Sequence, residues 1–361
     1  MAVAAGCTRG SQSTPHRFLP LGGVSPFQLE SGAILHHVGL AYESWGELDS
    51  DRQNGLLLLH GFTGNSHAAR SGDTCSPEPG WWEGLIGPGR ALDTNRYFIV
   101  CPNVLGGCDG STGPSTLDGD GRPYGSRFPA LTVRDLVAAE QRWADALGIS
   151  RWFAVIGTSL GGMRALEWAI SAPERLERLV LIATTPVCRS EIVDLHNAQV
   201  SAIELDPAFA GGDYYYNQSP PLQGLALARS IAQGTYGCAP ESDAVLSSSL
   251  SSSTLVPPDE DAHSFARSFD ANSYRVLTRA MNSHDIGRGR GGIESALRQI
   301  DIPATVVSIL SDRLFPPSDQ KLIANYLGNA SFVSFDSARG HDGFLHDQPS
   351  LDPLLRRALI G

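Results

Sequence analysis

Three residues far apart in the chain have the side chains and the order of a nucleophile, an acid and a base. They are Ser159, Asp312 and His341. A serine hydroxyl is a weak nucleophile until a base takes its proton, so it needs an imidazole. The imidazole in turn needs a carboxylate that fixes its tautomer and balances its positive charge. We predict that the three form a catalytic triad for acyl-group chemistry.

The stretch around Ser159 predicts a strand, a sharp turn and a helix. The apolar run Phe153–Ile156 leads into Gly157, and a good helix sequence runs from Met163 to Ile170. Glycines two residues before and after the serine fit such a turn, because a Cβ there would collide with the strand or the helix. The helix would point its N-terminal N–H groups at the serine. The alternative is a glycine-rich turn whose serine is passive.

An oxyanion needs fixed hydrogen-bond donors, and the chain offers two backbone amides for this role. One is the N–H of Leu160, directly after the nucleophile, and the other is the N–H of Phe62, in the loop after the apolar strand Leu56–Leu59. His60 and His67 lie in the same region. We interpret both as structural histidines that bond to the backbone, since the triad base should follow the acid in chain order.

Two further sites carry reactive or charged side chains. Cys108, in a glycine-rich loop, could be a nucleophile, but no base is paired with it in the sequence, and a buried small residue of the pocket wall is the preferred interpretation. Arg288 and Arg290, in Gly-Arg-Gly-Arg-Gly-Gly, could contact phosphate. We favour a flexible hinge at this position.

The elements that must position these residues alternate between apolar strands and helices. The helix that Thr132 opens as N-cap ends at Gly148. A helix between two strands is a crossover that favours a parallel sheet. The order of serine, acid and base then predicts the α/β-hydrolase fold, with a mostly parallel central sheet and an inserted helical cap. The predicted strands are Leu56–Leu59, Tyr97–Val100, Phe153–Ile156, Leu179–Ile182, Ala304–Ile309 and Ser331–Phe335.

The domain organisation follows from where strands stop and resume. Residues 1–20, rich in Ser, Gly, Thr and Pro, are predicted to be a mobile tail. Residues 21–187 and 293–361 form the two parts of the core, and residues 188–292 form the cap. Within the cap we expect helices at Ile192–Leu205, Leu222–Ile231 and Ser273–Asn282, and a low-complexity loop at Ser247–Thr254.

Composition excludes several classes of function. The 361 residues carry a net charge of −11, which argues against nucleic acid and anionic membranes as partners. The six cysteines include no Cys-x-x-Cys pair and no zinc spacing, so we expect free thiols and no metal. No apolar run is long enough to span a membrane, and the first residues do not have the form of a secretory signal. We therefore expect a cytoplasmic protein.

Several motifs resemble the homoserine O-acetyltransferase family, from about Tyr42 to Leu345. The most specific are Asn103-Val104-Leu105-Gly106-Gly107-Cys108 and Gly340-His341-Asp342-Gly343-Phe344-Leu345. The others are the segment Leu59–Gly64, the segment Gly125–Pro129, the elbow with Arg164–Trp168, the segment Phe269–Tyr274 and the segment Ser311–Pro316.

The resemblance implies an acetyl transfer from acetyl-CoA to the hydroxyl of homoserine in two steps, through an acyl-serine. It implies that Arg229 and Tyr236 bind the substrate, with Arg229 on the carboxylate, and that Asp342 holds the amino group. Without the resemblance, we would interpret Arg229 as an exposed helix arginine and Asp342 as a loop carboxylate that supports His341. The resemblance also implies a homodimer through the cap, no bound cofactor, small-molecule substrates and a role in methionine biosynthesis.

The chain departs from the family pattern in places that affect the acyl and acceptor sites. Gly61-Phe62 stands where the family usually has Ala-Leu, and Gly157-Thr158-Ser159-Leu160 where it usually has Gly-Gly-Ser-Met. Residues 247–264 replace a helical segment rich in aromatic and charged residues. Three alternatives follow: an acyltransferase for another hydroxyl or amine acceptor, an esterase or thioesterase, and a binding protein with an inactive site. Succinyl-CoA is an alternative donor.

Overall fold

An eight-stranded sheet, mostly parallel, lies at the centre of the protein. In the computed structural model, residues 17–21, 26–70, 78–217, 219–237 and 258–360 are described. The strands are β1 (Arg17–Pro20), β2 (Phe27–Gln28), β3 (Ile34–Leu35), β4 (Gly39–Trp45), β5 (Gly55–Leu59), β6 (Ile86–Gly87), β7 (Leu92–Asp93), β8 (Phe98–Pro102), β9 (Ala154–Thr158), β10 (Leu179–Ile182), β11 (Ala304–Ile309) and β12 (Ala330–Phe335). The sheet order is β1-β4-β8-β5-β9-β10-β11-β12, and the neighbours from β8 to β12 are parallel.

The helices follow the strands in the alternation that the sequence predicts. They are α1 (Val133–Leu147), α2 (Leu160–Ser171), α3 (Ser190–Glu204), α4 (Leu222–Tyr236), α5 (Glu260–Ser268), α6 (Ala271–Asn282), α7 (Ile293–Leu297), α8 (Pro317–Tyr326), α9 (Gly343–His346) and α10 (Gln348–Ile360). None of the described helices combines the length and the apolar content needed to cross a bilayer.

The central strands are apolar on both faces because both faces are covered. In β5, Leu57 and Leu59 pack into one buried cluster, while Leu56 and Leu58 pack into a second cluster on the opposite face. All four side chains are fully buried. A continuous apolar run is the pattern of a parallel strand with helices on each side. The predicted fold class is confirmed.

Helix α1 has the ends that its sequence predicts. The Thr132 side chain accepts a hydrogen bond from the Asp135 N–H, and the Asp135 carboxylate accepts one from the Thr132 N–H, which is a capping box. Gly148 ends the helix with a φ of 78°, in the left-handed region that glycine adopts without strain.

The N-terminal prediction is wrong for its last four residues. Arg17–Pro20 do not belong to a mobile tail, because they pair antiparallel with Gly39–Tyr42 as strand β1 at one edge of the sheet. Backbone pairing with a strand further along the chain is not visible in the local composition of residues 1–20. Residues 1–16 lie outside the described part of the chain.

A segment whose described residues, 188–217, 219–237 and 258–285, are mainly helical leaves the core after β10 and returns before α7. It contains α3, α4, α5 and α6, and the predicted loop at Ser247–Thr254 lies outside the described residues. Its two ends run side by side: Val187 pairs antiparallel with Asp285, and the Cys188 N–H donates to the His284 carbonyl at 2.9 Å. This paired stem lets the segment leave and rejoin the core at one place.

Candidate active site

Ser159 occupies the sharp turn between β9 and α2. Its backbone has a φ of 53° and a ψ of −118°, which an L-residue rarely adopts. The flanking glycines make this turn possible: a Cβ on Gly157 would collide with the backbone of Gly161, and one on Gly161 would collide with the Leu59 carbonyl. The sequence argument for these glycines thus holds in the structure, and the turn presents the serine side chain beyond the end of the strand.

The structure brings Ser159, His341 and Asp312 into one hydrogen-bonded series. His341 Nε2 lies 2.9 Å from Ser159 Oγ, and His341 Nδ1 lies 2.7 Å from Asp312 Oδ2. Asp312 Oδ1 accepts hydrogen bonds from the N–H groups of Leu314 and Phe315, each at 2.9 Å. These distances allow proton transfer from the hydroxyl to the imidazole, and the two backbone donors hold the carboxylate in place.

The charge of Asp312 sets the protonation of His341. Burial alone would lower the pKa of the imidazole, but the charge of Asp312 and its hydrogen bond outweigh burial, and the pKa rises above its ordinary value of 6.5. The charge of Asp342 adds to this rise. A raised pKa makes the imidazole a better proton acceptor, and its cation keeps a counter-charge while the reaction proceeds.

The two predicted oxyanion donors flank the serine. Leu160 is the first residue of α2, and the N–H groups of a helix's first turn have no partner within the helix. On the other side, a Cβ built at Gly61 would lie 3.7 Å from Ser159 Cβ, so the loop after β5 packs against the nucleophile. Phe62 is buried in this loop, and its ring meets Tyr274 edge-on with centroids 4.7 Å apart.

A cavity of about 380 Å³ opens in front of the triad. Its floor comes from the core, including Ser159 and His341, and its roof comes from the helical segment. The roof residues are His196, Arg229, Tyr236, Phe265 and Met281. The cavity is large enough for a small acyl group and its acceptor.

Arg229 places a positive charge in this cavity. Its guanidinium lies 4.7 Å from the centroid of the Phe265 ring and 5.7 Å from that of Tyr236. Its Nη1 is 3.5 Å from Thr63 Oγ1, and its buried Nε has no hydrogen-bond partner among the described residues. A cation with unused donors facing a cavity is suited to a carboxylate. Arg229 is therefore not the exposed helix arginine of the alternative interpretation.

Tyr236 and Asp342 line the same cavity. Burial raises the pKa of Tyr236 to about 12, with a smaller lowering by the charge of Arg229 and a smaller rise from that of Asp342. The phenol therefore stays protonated and can act as a hydrogen-bond donor. Asp342 places a negative charge in the cavity that also contains the guanidinium, as an amino acid with both its charges requires.

His60 bonds to the backbone, as predicted. Its Nδ1 lies 2.7 Å from the Gly61 carbonyl oxygen, and its Nε2 accepts from the Val104 N–H at 3.2 Å. His67 differs in part, since its Nε2 meets the Glu78 carbonyl but its Nδ1 lies 3.0 Å from a carboxylate oxygen of the buried Glu43. That hydrogen bond raises the pKa of His67 despite partial burial.

The other candidates from the sequence, Arg288, Arg290 and Cys108, are paired with other residues or buried. Arg288 pairs with Glu30 at 2.8 Å, and Arg290 makes a bidentate pair with Glu167. Ion pairs therefore fix the turn that was expected to be a flexible hinge, and they occupy the guanidinium groups that phosphate would need. Cys108 is buried and is not part of a disulfide, and the same holds for Cys101 and Cys188. Among the described residues, no group of three His, Cys, Asp or Glu side chains is placed to hold a metal ion.

Sequence reasoning missed a buried ion pair under the elbow. Arg164, on α2, donates from Nη1 to Glu140 of α1 at 2.6 Å and from Nη2 to the His60 carbonyl at 2.8 Å. Both side chains are essentially inaccessible to solvent. The available signal was that Glu140 falls on the buried, mainly apolar face of α1 between Leu136 and Trp143, but nothing in the sequence showed that it meets Arg164. His196, a roof residue held by Asn282, was also missed.

Comparison with known proteins places this geometry in a family. Residues 54–348 match the family described as the alpha/beta hydrolase fold. The chain is 46% identical to a homoserine O-acetyltransferase of Thermobifida fusca, an alignment that covers 92% of this chain and 91% of that relative.

Solved structures agree with the sequence match. A crystal structure of homoserine O-acetyltransferase from Bacillus anthracis superposes with a TM-score of 0.83 at 27% identity, covering 96% of this chain and 98% of the other. The crystal structure of esterase E22 superposes with a TM-score of 0.85 at 26% identity, covering 96% of this chain and all of that one. Similar folds thus occur in a transferase and in an esterase.

Proposed function

The chain belongs to the homoserine O-acetyltransferase family of the α/β-hydrolase fold, and we propose that it transfers an acetyl group from acetyl-CoA to the hydroxyl of homoserine. The observation that carries the proposal is the series of short contacts from Ser159 through His341 to Asp312 at the floor of a cavity. This series activates a hydroxyl for attack on an acyl carbon.

The first half-reaction acylates Ser159. His341 Nε2 takes the hydroxyl proton while Oγ bonds to the thioester carbon, and the carbonyl oxygen becomes an oxyanion that the N–H groups of Phe62 and Leu160 stabilise. The carbon–sulfur bond then breaks, and CoA leaves with the proton from His341. Asp312 stabilises the imidazolium in between. Removing one oxyanion donor typically costs about 2.7–4 kcal/mol of barrier.

The second half-reaction passes the acetyl group on. The substrate hydroxyl gives its proton to His341 and attacks the acyl carbon, and the ester bond to Ser159 breaks as Oγ regains a proton. Arg229 and Tyr236 hold the carboxylate, and Asp342 holds the ammonium group. The charges in the cavity support these assignments, because Arg229, whose Nε has no hydrogen-bond partner among the described residues, and the Asp342 carboxylate line the same cavity.

The experiment separates transfer from hydrolysis. The purified protein is incubated with acetyl-CoA, with and without homoserine, while free CoA and O-acetylhomoserine are both quantified. Ser159→Ala is the control, and intact mass after acetyl-CoA addition should show one acetyl group on the native protein and none on the variant. Release of CoA that is unaffected by homoserine would contradict the transferase proposal. Succinyl-CoA in a parallel reaction distinguishes the donors.

A second candidate function is hydrolysis of the acyl-serine, and the similarity to esterase E22 favours it. Water would use the same triad, so only the acceptor differs. Arg229→Ala tests the choice. For a transferase, the KM for homoserine should rise while acylation by acetyl-CoA is retained; for an esterase, neither product nor rate should change. Product formation from another hydroxylated amine but not from homoserine would point to a different acceptor.

Further properties belong to the proposal: the dimer and the metabolic role rest on the family resemblance, and the division of the chain and the location rest on the sequence. We propose that the protein is a homodimer through residues 188–292, which light scattering can test, and that residues 21–187 and 293–361, together with strand β1, form its core. We also propose a cytoplasmic location and a place in methionine biosynthesis. No bound cofactor is needed, since acetyl-CoA acts as a substrate.

A further inference from the structure

The peptide unit between Gly61 and Phe62 carries one of the two proposed oxyanion donors. In a trans peptide the C=O and N–H groups lie in one plane and point in opposite directions. Whatever fixes the Gly61 carbonyl therefore also fixes the direction of the Phe62 N–H. The structure shows two groups on that carbonyl: the Gly64 N–H, at 3.1 Å, and Nδ1 of His60, at 2.7 Å.

The tautomer of His60 follows from its contacts. The Val104 N–H is a donor, so the Nε2 atom that it meets at 3.2 Å must accept and carry no proton. The single proton of the neutral ring is then on Nδ1, which donates to the Gly61 carbonyl. Burial, and after it the charge of Arg164, lowers the pKa of His60 to about 3, so the ring keeps this form at neutral pH.

The surroundings leave the ring one position. His60 is 1% exposed, and a Cβ at Gly64 would lie 3.2 Å from its Nδ1, so the turn residue leaves room for the imidazole. The His60 carbonyl is held by Arg164 Nη2 at 2.8 Å, and Arg164 is part of α2, the helix that begins with Leu160. The same arginine therefore ties the segment carrying one oxyanion donor to the helix carrying the other.

We propose that His60 is a positioning residue for the oxyanion hole: its Nδ1–H holds the Gly61 carbonyl, so that the Phe62 N–H is directed at the acyl oxygen bound to Ser159. His60 takes no proton from the substrate and does not replace His341. The inference rests on the proposed function insofar as Phe62 is an oxyanion donor. It does not depend on the identity of the acceptor.

Two conservative substitutions separate the two hydrogen bonds of the ring. In His60→Asn, the side-chain amide can reach the position of Nδ1 and donate to the Gly61 carbonyl, but it leaves the Val104 N–H without a partner. In His60→Gln, the longer side chain reaches the position of Nε2 and can accept from Val104, but it loses the bond to Gly61. A positioning role predicts activity in the first and loss in the second. A role in anchoring the Val104 loop predicts the reverse.

The measurement compares a transition-state mimic with a ground-state mimic. Trifluoroacetophenone forms a tetrahedral oxyanion on an active serine, whereas acetophenone only occupies the site. We expect His60→Gln and His60→Ala to lose about 10- to 100-fold in affinity for trifluoroacetophenone and in the acylation burst with p-nitrophenyl acetate, with acetophenone binding unchanged. His60→Asn should keep most of both. The acid limb of the pH profile, which belongs to His341, should not move in any variant.

Three outcomes would overturn the inference. One is unchanged trifluoroacetophenone affinity in the Gln and Ala variants, which would mean that the Gly64 N–H holds the carbonyl alone. Another is recovery by Gln and not by Asn. The third needs no variant: nitrogen NMR of the native protein should show His60 protonated on Nδ1, and a proton on Nε2 would refute the mechanism even if every substitution prevented folding.

The burst assay keeps this test separate from the proposed function. It uses p-nitrophenyl acetate and no amino acid, so a protein that ignores homoserine can still show dependence on His60. The transferase proposal would then fail while the positioning role stands. Conversely, O-acetylhomoserine formation that is insensitive to His60→Gln would leave the transferase proposal intact and remove the positioning role. Ser159→Ala, which should show no burst, is the baseline for both.

Discussion

Replacing Asp312 by Asn should keep a side chain of the same size beside His341 but should no longer hold the imidazole in the tautomer that the reaction needs. Asp312 Oδ1 accepts from the N–H groups of Leu314 and Phe315, each at 2.9 Å, and an asparagine oxygen can keep both bonds. The new NH₂ group then takes the place of Oδ2, which lies 2.7 Å from His341 Nδ1. Because the NH₂ group donates, it favours the tautomer of His341 in which Nδ1 carries no proton and Nε2 is protonated. In that tautomer Nε2 cannot accept the proton of Ser159.

The size of the effect follows from burial and geometry. The Asp312 side chain is 0% exposed and that of His341 is 4% exposed, so water cannot substitute for the lost counter-charge. The wrong tautomer in a serine triad lowers the rate by about 10⁴, which corresponds to about 5.4 kcal/mol of barrier. The acylation burst with p-nitrophenyl acetate, followed by stopped flow, measures this loss directly.

The same variant should shift the pH dependence of acylation. His341 must be neutral to act as a base, so the rate falls as the pH drops through the pKa of His341. Burial lowers that pKa, and the charge and hydrogen bond of Asp312 raise it by more. Without the charge of Asp312 the pKa falls, and the acid limb should move to lower pH. Asp342→Asn is the matched control, with a smaller shift in the same direction because Asp342 acts only through space.

Two results would refute this reasoning. An acid limb that stays in place in Asp312→Asn would mean that His341 is not the titrating base. A loss of rate smaller than about tenfold, or about 1.4 kcal/mol, would mean that Asp312 does not orient the imidazole. Circular dichroism of both variants shows whether the fold is retained.

Three further predictions concern stability. Arg164→Met should cost about 3–5 kcal/mol in urea unfolding because it leaves the buried carboxylate of Glu140 without its cation. Arg164→Met with Glu140→Gln should recover part of this, because the neutral amide can still accept from Trp168 while the His60 carbonyl stays without its donor, and a complete failure of recovery would contradict the prediction. Burial lowers the pKa of His284 to about 4, so its neutral form contributes stability that is complete above pH 6.5 and is lost as the pH falls from 6.5 towards 4. In that window His284→Gln should reduce the slope of unfolding free energy against pH by about 1.4 kcal/mol per pH unit, and an unchanged slope would show that the residue is not buried as a neutral ring. Gly161→Ala should cost about 3 kcal/mol, the upper end of the range for overpacking, because its Cβ would collide with the Leu59 carbonyl at the end of β5, whereas Gly119→Ala, with nothing within 4 Å, should leave the melting temperature unchanged.

The sequence predicted the fold and the contacts of the triad because their signals are local. Each triad residue follows an apolar strand, and glycines mark the turn around Ser159. A parallel sheet brings such strand ends to one edge, so three local patterns were enough to predict that Ser159, Asp312 and His341 converge. The series Ser159–His341–Asp312 in the structure has the order that the triad requires.

Contacts between distant residues were not predictable in the same way. Arg288 pairs with Glu30 across 258 positions, and nothing near Arg288 shows that its charge is already matched. Strand β1 depends on pairing with β4, which composition does not report. The roof of the cavity depends on how α3 and α4 pack over the core. The sequence therefore reached Arg229 only through the family resemblance, and it did not indicate His196 at all.

The paired stem at Val187 and Asp285 divides the chain into a part that carries the triad and a part that covers it. The core alone supplies the nucleophile, the base and the acid, whereas the segment beyond the stem supplies Arg229 and Tyr236. A change beyond the stem would therefore alter the residues that line the roof of the cavity while Ser159, His341 and Asp312 stay in place. This division of the chain is consistent with the finding that a transferase and an esterase both have folds similar to this one.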